Sequence, residues 1–116
     1  ITVDAFHQMS GNFMDRKNGF GGEGVITCTV QGGHLNWLKT VLSEAQNINT
    51  IKHIIVQAHL PIIQPVRKVS CSGQFMDGGE NSEFWKIMVL YEVDIYLAGE
   101  VHINTATRDP DSNLLQ

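Results

Sequence analysis

The chain has 116 residues, of which 42% are hydrophobic and 17% are charged, an ordinary composition for about one small domain. Its formal net charge is -4, and its eight Lys and Arg residues are scattered rather than clustered. This charge distribution argues against a patch for nucleic acid. No apolar run approaches the roughly 20 residues that cross a bilayer, so no membrane segment is expected.

The first half of the chain predicts two strands, a loop and a helix. Ile1–Phe6 and Val25–Val30 are rich in residues that favour strands. Residues 7–24 between them are polar and glycine-rich, which is typical of a loop. After a Gly-Gly break at 32–33, apolar residues recur at helical spacing and predict an amphipathic helix: Leu35, Leu38, Val41, Leu42 and Ala45, with Trp37 beside them as a further core residue.

The second half predicts two further strands around a long connection and a helix. A buried strand within Ile51–Ala58 stops at Pro61, and another strand spans Val93–Ala98. The connection Ile62–Gly79 has the length of a loop that covers a site. Asn81 or Ser82 is expected to cap the following helix, whose apolar positions are Phe84, Trp85, Met88 and Val89. The pattern as a whole predicts an α/β fold.

Polar side chains with metal-ligand chemistry follow the last two strands. His59 ends one strand, and Glu100 and His102 follow the other. Because open α/β sheets place their sites at the carboxyl ends of parallel strands, these three side chains are expected to converge. Imidazole and carboxylate groups are good ligands for Zn, Mn or Fe. The sequence therefore predicts a metal site formed by His59, Glu100 and His102.

These motifs resemble a known family of enzymes. Ala58–Pro61 is similar to the Gly-His-x-Pro motif of calcineurin-like metallophosphoesterases, and Gly99–His102 is similar to their Gly-His-x-His motif. His34–Leu38 resembles the Gln-x-x-Trp-Leu helix of that family, and Asn81–Trp85 occupies the place of a helix start between the two motifs. The order and spacing of the motifs, more than any one of them, make the match specific.

The resemblance implies a fold, an activity and a set of ligands. Residues 1–116 would be the C-terminal portion of one phosphoesterase domain, half of a β-sandwich flanked by helices. In the complete domain two metal ions (Mn, Fe, Zn or Mg) would activate a water that attacks a small phosphomonoester or phosphodiester. His59 would bind the second ion and His102 the first.

The chain departs from the family pattern in two respects. Glu100 replaces the first histidine of Gly-His-x-His, and an anionic ligand at that position favours harder ions. The Asp-x-His, Gly-Asp-x-x-Asp and Gly-Asn-His motifs of the family would all precede Ile1, so the chain is expected to be a fragment that is inactive by itself. No catalytic residue is assigned within it, and Gly11–Phe13 is interpreted as loop.

Other interpretations remain open at this point. Glu100 could be a solvated carboxylate, or an outer partner that orients a ligand histidine. The chain could also belong to a non-catalytic module that keeps the scaffold, or to a ligand-binding domain in which the histidines are structural. His7, His34 and His53 are expected at the surface. Cys28 and Cys71 could pair only if their Cα atoms approach within about 7 Å, and free thiols are the simpler expectation.

Overall fold

The computed structural model describes residues 1–3, 6–8, 26–63, 75–100 and 102–116. Most of the predicted glycine-rich loop, including Gly11–Phe13, lies outside these ranges. So do the central part of the predicted connection Ile62–Gly79, with Cys71, and the single residue Val101.

A parallel sheet positions the predicted site. Strands β3 (Ile55–Ala58) and β4 (Ile95–Ala98) pair in parallel, with Ile55 opposite Ile95 and Ala58 opposite Ala98. Single parallel bridges extend this pair on both sides, since Thr2 joins Gln57 and Leu115 joins Ile95. The predicted strands at these positions are confirmed in shortened form, and the chain is mixed α/β as expected.

A separate antiparallel pair consists of β1 (Phe6–Gln8) and β2 (Ile26–Cys28). Strand β2 lies within the predicted strand at 25–30. The predicted strand Ile1–Phe6 is only partly correct, because residues 1–3 pair with β3 whereas β1 begins at Phe6. His7 was expected in a loop and lies in β1 instead. It pairs there with Thr27 of β2, a partner that the polar composition of residues 7–24 does not indicate, since strand formation depends strongly on tertiary context.

Both predicted helices are present. Helix α1 spans Gly32–Gln46 and helix α2 spans Glu83–Leu90. The two glycines expected to precede α1 form its first turn, because Gly32 adopts a φ of 56° that lets the chain turn sharply out of β2. Trp85 is buried as predicted. Among the described residues, neither helix is long and apolar enough to span a membrane.

The prediction that Trp37 belongs to the core is wrong. The residue is 49% exposed, whereas Leu38 and Leu42 on the same helix are fully buried. Leu38 and Leu42 are four residues apart and therefore lie on one face of the helix. Trp37 precedes Leu38 by one residue, which places it about 100° away around the axis and toward solvent.

The core covers one face of the parallel sheet. Val56 and Tyr96 are fully buried on this face, while Ile55 and Leu97 on the opposite face are 43% and 50% exposed. This difference follows from the alternation of side chains along a strand. The buried apolar cluster draws on both helices and the strands: Val3, Val30, Leu38, Leu42, Val56, Leu60, Ile62, Met76, Phe84, Trp85, Ile87, Met88, Val93, Tyr96 and Leu114.

Two short features complete the described structure. Gly79–Asn81 forms a single 3-10 turn, where only loop was expected, directly before α2. At the C-terminal end, residues 107–109 pair with 114–116, and the predicted turn Asp109–Ser112 joins them. The Asp109 carboxylate accepts hydrogen bonds from the backbone N–H and the hydroxyl of Ser112, which lower the pKa of that carboxyl.

Candidate functional site

His59 and Glu100 meet at the carboxyl end of the parallel pair. Nε2 of His59 and Oε2 of Glu100 lie 2.8 Å apart, although the residues are 41 positions apart in sequence. The Glu100 side chain is 11% exposed and that of His59 is 52% exposed. A carboxylate that is nearly buried needs a partner that donates hydrogen bonds, and the imidazole is one such partner. The predicted convergence of these two residues is confirmed.

The backbone around His59 is held at successive residues. The Gly99 N–H donates to the His59 carbonyl at 3.0 Å, which continues the parallel ladder one residue past β3. The hydroxyl of the fully buried Tyr96 donates to the carbonyl of Leu60. The Met76 N–H then donates to the carbonyl of Pro61 at 2.7 Å. Three consecutive carbonyls are therefore fixed from two parts of the chain, the stretch from Tyr96 to Gly99 and the segment that carries Met76.

The Gln116 side chain holds the next two residues. Its Oε1 accepts hydrogen bonds from the N–H groups of Ile62 and Ile63 at 2.6 and 2.9 Å. Its Nε2 donates to the carbonyl of Ile63 at 2.9 Å. Neither Gln116 nor Tyr96 was identified from the sequence, because a single polar side chain that bonds to distant backbone leaves no periodic signal.

Gly99 lies against the His59 ring. A Cβ at this position would come 3.2 Å from Nδ1 and 3.6 Å from Cε1 of His59. The first distance is shorter than a comfortable van der Waals contact of about 3.5 Å. The glycine therefore leaves the space that the imidazole needs while its backbone N–H bonds to the same residue.

The segment after Gly99 has an uncommon backbone conformation. Glu100 and His102 have φ angles of 53° and 54°, in the left-handed region that non-glycine residues seldom occupy. Each such residue costs of order 1 kcal/mol, and residues of this kind cluster at functional sites. Neither Glu100 nor His102 therefore continues the extended backbone of β4, which ends at Ala98.

The predicted three-ligand set is brought together in part. His59 and Glu100 are in contact, and His102 lies two residues further along the chain, also with a positive φ. Within the described ranges, no group of three or more His, Cys, Asp or Glu side chains is arranged to hold a metal ion. An imidazole and a carboxylate in contact do fit the donor chemistry of a divalent ion, either as two ligands or as one ligand and its orienting partner.

A pocket adjoins His59 on the open face of the sheet. It has a volume of about 480 Å³ and is lined by residues of the N-terminal segment, β3 and β4: Thr2, Val3, Gln57, Ala58, His59, Leu97, Ala98 and Gly99. A larger pocket of about 630 Å³ lies at the opposite end of the strands, against His53, Asp94 and Arg108. We assign the site to the pocket of about 480 Å³, because of these two pockets it is the one lined by His59.

A second histidine–carboxylate pair lies at that opposite end. Nδ1 of His53 is 3.3 Å from Oδ1 of Asp94, again across a sequence separation of 41. Both side chains are exposed, at 75% and 42%. The Ile54 N–H donates to Asp94 and lowers the pKa of that carboxyl, with a smaller contribution from His53. The sequence placed His53 at the surface, which is confirmed, but the pairing was missed although its spacing equals that of His59 and Glu100.

Cys28 is a free thiol of intermediate exposure. Burial raises the pKa of this thiol, and the nearby Asp77 carboxylate adds to the effect. Asp77 also accepts a hydrogen bond from the Cys28 N–H at 2.9 Å and donates its own N–H to the Cys28 carbonyl at 2.7 Å. Cys28 therefore anchors the segment before α2 through its backbone.

The chain matches no protein-family model, no curated protein and no solved structure.

Proposed function

We propose that this chain is the C-terminal portion of a calcineurin-like metallophosphoesterase domain, and that the complete domain hydrolyses phosphate esters with bound metal ions. The observation that carries the proposal is the 2.8 Å contact between His59 and Glu100. The two residues belong to the two motifs that resemble the family, and they meet at the edge of the sheet where α/β proteins place their sites.

Each residue of the pair has a definite part in this proposal. His59 offers a ring nitrogen to an ion, and its backbone position is fixed by Gly99 and by the Tyr96 contact at Leu60. Glu100 supplies negative charge beside it. His102, two residues further along the chain, would be a further ligand. The ions would activate water and neutralise charge on the phosphoryl oxygens. The remaining ligands would come from outside the described residues.

The open face of the sheet supports the fold that the proposal requires. Parallel sheets are generally covered on both faces, yet Ile55 and Leu97 are 43% and 50% exposed here. A second sheet in the complete domain would cover this face and complete a β-sandwich. The pocket of about 480 Å³ beside His59 would then lie between the two layers and suits a small phosphate ester.

The first test is the metal content and hydrolytic activity of the complete protein. We expect His59→Ala and Glu100→Ala each to weaken binding of Mn and Zn by at least tenfold, because loss of even an outer partner costs about 10- to 100-fold. Hydrolysis of p-nitrophenyl phosphate and of its bis-ester should fall in parallel. Metal counted per chain and initial rates give the two measurements.

The chain supplies a matched control for this test. His53→Ala and Asp94→Ala remove the second histidine–carboxylate pair, at the other end of the same strands, and should leave metal content and activity unchanged. If the wild-type protein binds no metal, or if His59→Ala binds it as well as wild type, the proposal is wrong. Metal binding that depends on His59 but accompanies no hydrolysis of either ester would instead identify a non-catalytic module built on this scaffold.

A further inference from the structure

Tyr96 is a buried residue that contacts the backbone next to His59 from the core side of the sheet. It lies in β4, is fully buried, and packs its ring edge-on against Phe84 at a centroid distance of 5.7 Å. Its hydroxyl donates to the carbonyl of Leu60, the residue that follows His59. Burial raises the pKa of this phenol, so the hydroxyl keeps its proton and remains a donor at neutral pH.

The hydrogen bond from Tyr96 to Leu60 links β4 to the residues that follow β3, next to His59. Tyr96 and Glu100 are on the same short stretch of chain, with Gly99 between them bonded to the His59 carbonyl. Leu60 is itself fully buried, so its carbonyl has no access to solvent as an alternative partner. The Leu60 carbonyl is therefore held against β4 by this hydroxyl, in addition to the Gly99 N–H that bonds to the His59 carbonyl, and His59 is joined to Leu60 by a planar peptide.

We propose that Tyr96 is a positioning residue for the His59–Glu100 pair. By holding the Leu60 carbonyl, its hydroxyl fixes the distance between the end of β3 and the turn that carries Glu100. Loss of the hydroxyl should let the Leu60–Pro61 peptide move and shift the His59 ring with it, while the ladder of β3 and β4, including the Gly99 bond to the His59 carbonyl, stays in place. The part of this inference that concerns metal affinity rests on the proposed function, whereas the part that concerns the geometry of the pair does not.

The test compares Tyr96→Phe with Tyr91→Phe, since these are the two tyrosines of the chain. Tyr91 is partly buried, and among the described residues its hydroxyl has no hydrogen-bond partner. We expect Tyr96→Phe to weaken Mn and Zn binding about tenfold, the lower end of the range for outer partners, and Tyr91→Phe to have no effect. Titration calorimetry on the complete protein measures both affinities.

Two further readouts separate positioning from a loss of stability. The ring ¹⁵N and ¹³Cε1 resonances of His59, recorded without metal, should shift in Tyr96→Phe and not in Tyr91→Phe. Val30→Ala, a truncation elsewhere in the core, provides a destabilised control that should leave these resonances unchanged. In a His59→Ala background, Tyr96→Phe should produce no further loss of metal affinity, because a residue that acts through His59 has nothing left to position.

A fluorinated tyrosine, which keeps the ring and the hydroxyl, provides the test if the Tyr96→Phe protein does not fold. In Tyr91→Phe, 3-fluorotyrosine introduced at position 96 by stop-codon suppression strengthens the hydroxyl as a donor, so the His59 resonances should shift again. His59 resonances that match those of Tyr91→Phe in every Tyr96 variant would overturn the inference. If wild type binds no metal, the proposed function fails, and the resonances alone decide the role of Tyr96.

Discussion

At the scale of single residues, the site depends on a close approach between backbone and side chain. Gly99 donates its N–H to the His59 carbonyl and at the same time leaves room for the His59 ring. Glu100 follows immediately in a left-handed conformation, so that its carboxylate turns back toward the ring. The absence of a side chain at position 99 is therefore as necessary to this arrangement as the two polar groups.

Gly99→Ala tests whether the close approach of residue 99 to the His59 ring is required. The new Cβ would lie 3.2 Å from Nδ1 of His59, so the ring should move and its contact with Glu100 should weaken. We expect a loss of about 1 kcal/mol in the free energy of unfolding, together with shifted His59 ring resonances. Urea unfolding and NMR measure the two effects.

Gly33→Ala is the control for the Gly99 experiment. A Cβ at Gly33 meets no atom within 4 Å, and the residue lies in α1. Alanine there should stabilise the protein by about 0.5–1 kcal/mol and leave His59 unchanged. If both variants behave alike, the close approach at Gly99 has no structural importance.

At the scale of elements, the two helices begin in different ways. Helix α2 is capped by Ser82, whose hydroxyl accepts a hydrogen bond from the Trp85 N–H at 3.1 Å. Helix α1 has Gln31 at its N-cap position, without a side-chain cap hydrogen bond, and relies on the conformational freedom of Gly32. Helix α2 is only eight residues long, so its stability depends on its cap and its buried face more than on propensity.

Ser82→Ala should therefore destabilise the protein measurably. Loss of a serine cap costs about 0.5–2 kcal/mol, and the upper part of this range is expected because Ser82 is only 9% exposed. Ser43→Ala, the same substitution within α1, should be neutral or stabilising by a few tenths of a kcal/mol, since alanine is the better helix former. Urea denaturation monitored by circular dichroism compares them, and equal effects would contradict the assigned cap.

At the scale of the whole molecule, three titratable groups with shifted pKa values make the free energy of unfolding depend on pH at both extremes: Asp94, Tyr96 and Asp109. Tyr96 has its pKa raised by burial, so the stability it contributes is complete below the ordinary phenol pKa of about 10 and is lost as the pH rises above it. Asp94 and Asp109 have lowered pKa values, chiefly through hydrogen bonds from Ile54 and Ser112 respectively. Their contribution is present above about pH 4 and is lost as the pH falls through the lowered values.

The free energy of unfolding should consequently fall above about pH 10 and below about pH 4. Tyr96→Phe should flatten the alkaline limb, because phenylalanine does not ionise, whereas Tyr91→Phe should leave that limb as in wild type. Asp109→Asn should reduce the slope of the acid limb. Urea unfolding at intervals of one pH unit measures these slopes, and an alkaline limb that persists unchanged in Tyr96→Phe would show that another group controls it.

Local sequence patterns predict both helices, strands β2, β3 and β4, and the contact between His59 and Glu100. Helical spacing located α1 and α2, apolar runs located β3 and β4, and the motifs around His59 and Glu100 predicted that these side chains meet. These features follow from local periodicity and from the rule that parallel strands end at a common edge.

The contacts that hold the carboxyl ends of β3 and β4 together are visible only in the folded chain. The Tyr96 hydroxyl, the Gln116 amide and the close approach of Gly99 each join backbone groups far apart in sequence, and no local pattern encodes such contacts. The exposure of Trp37 and the placement of His7 in β1 were decided in the same way. The residues that share a face of a helix or strand follow from the repeat of that element. The partners of a residue across the fold depend instead on packing, which forms only when the whole chain is folded.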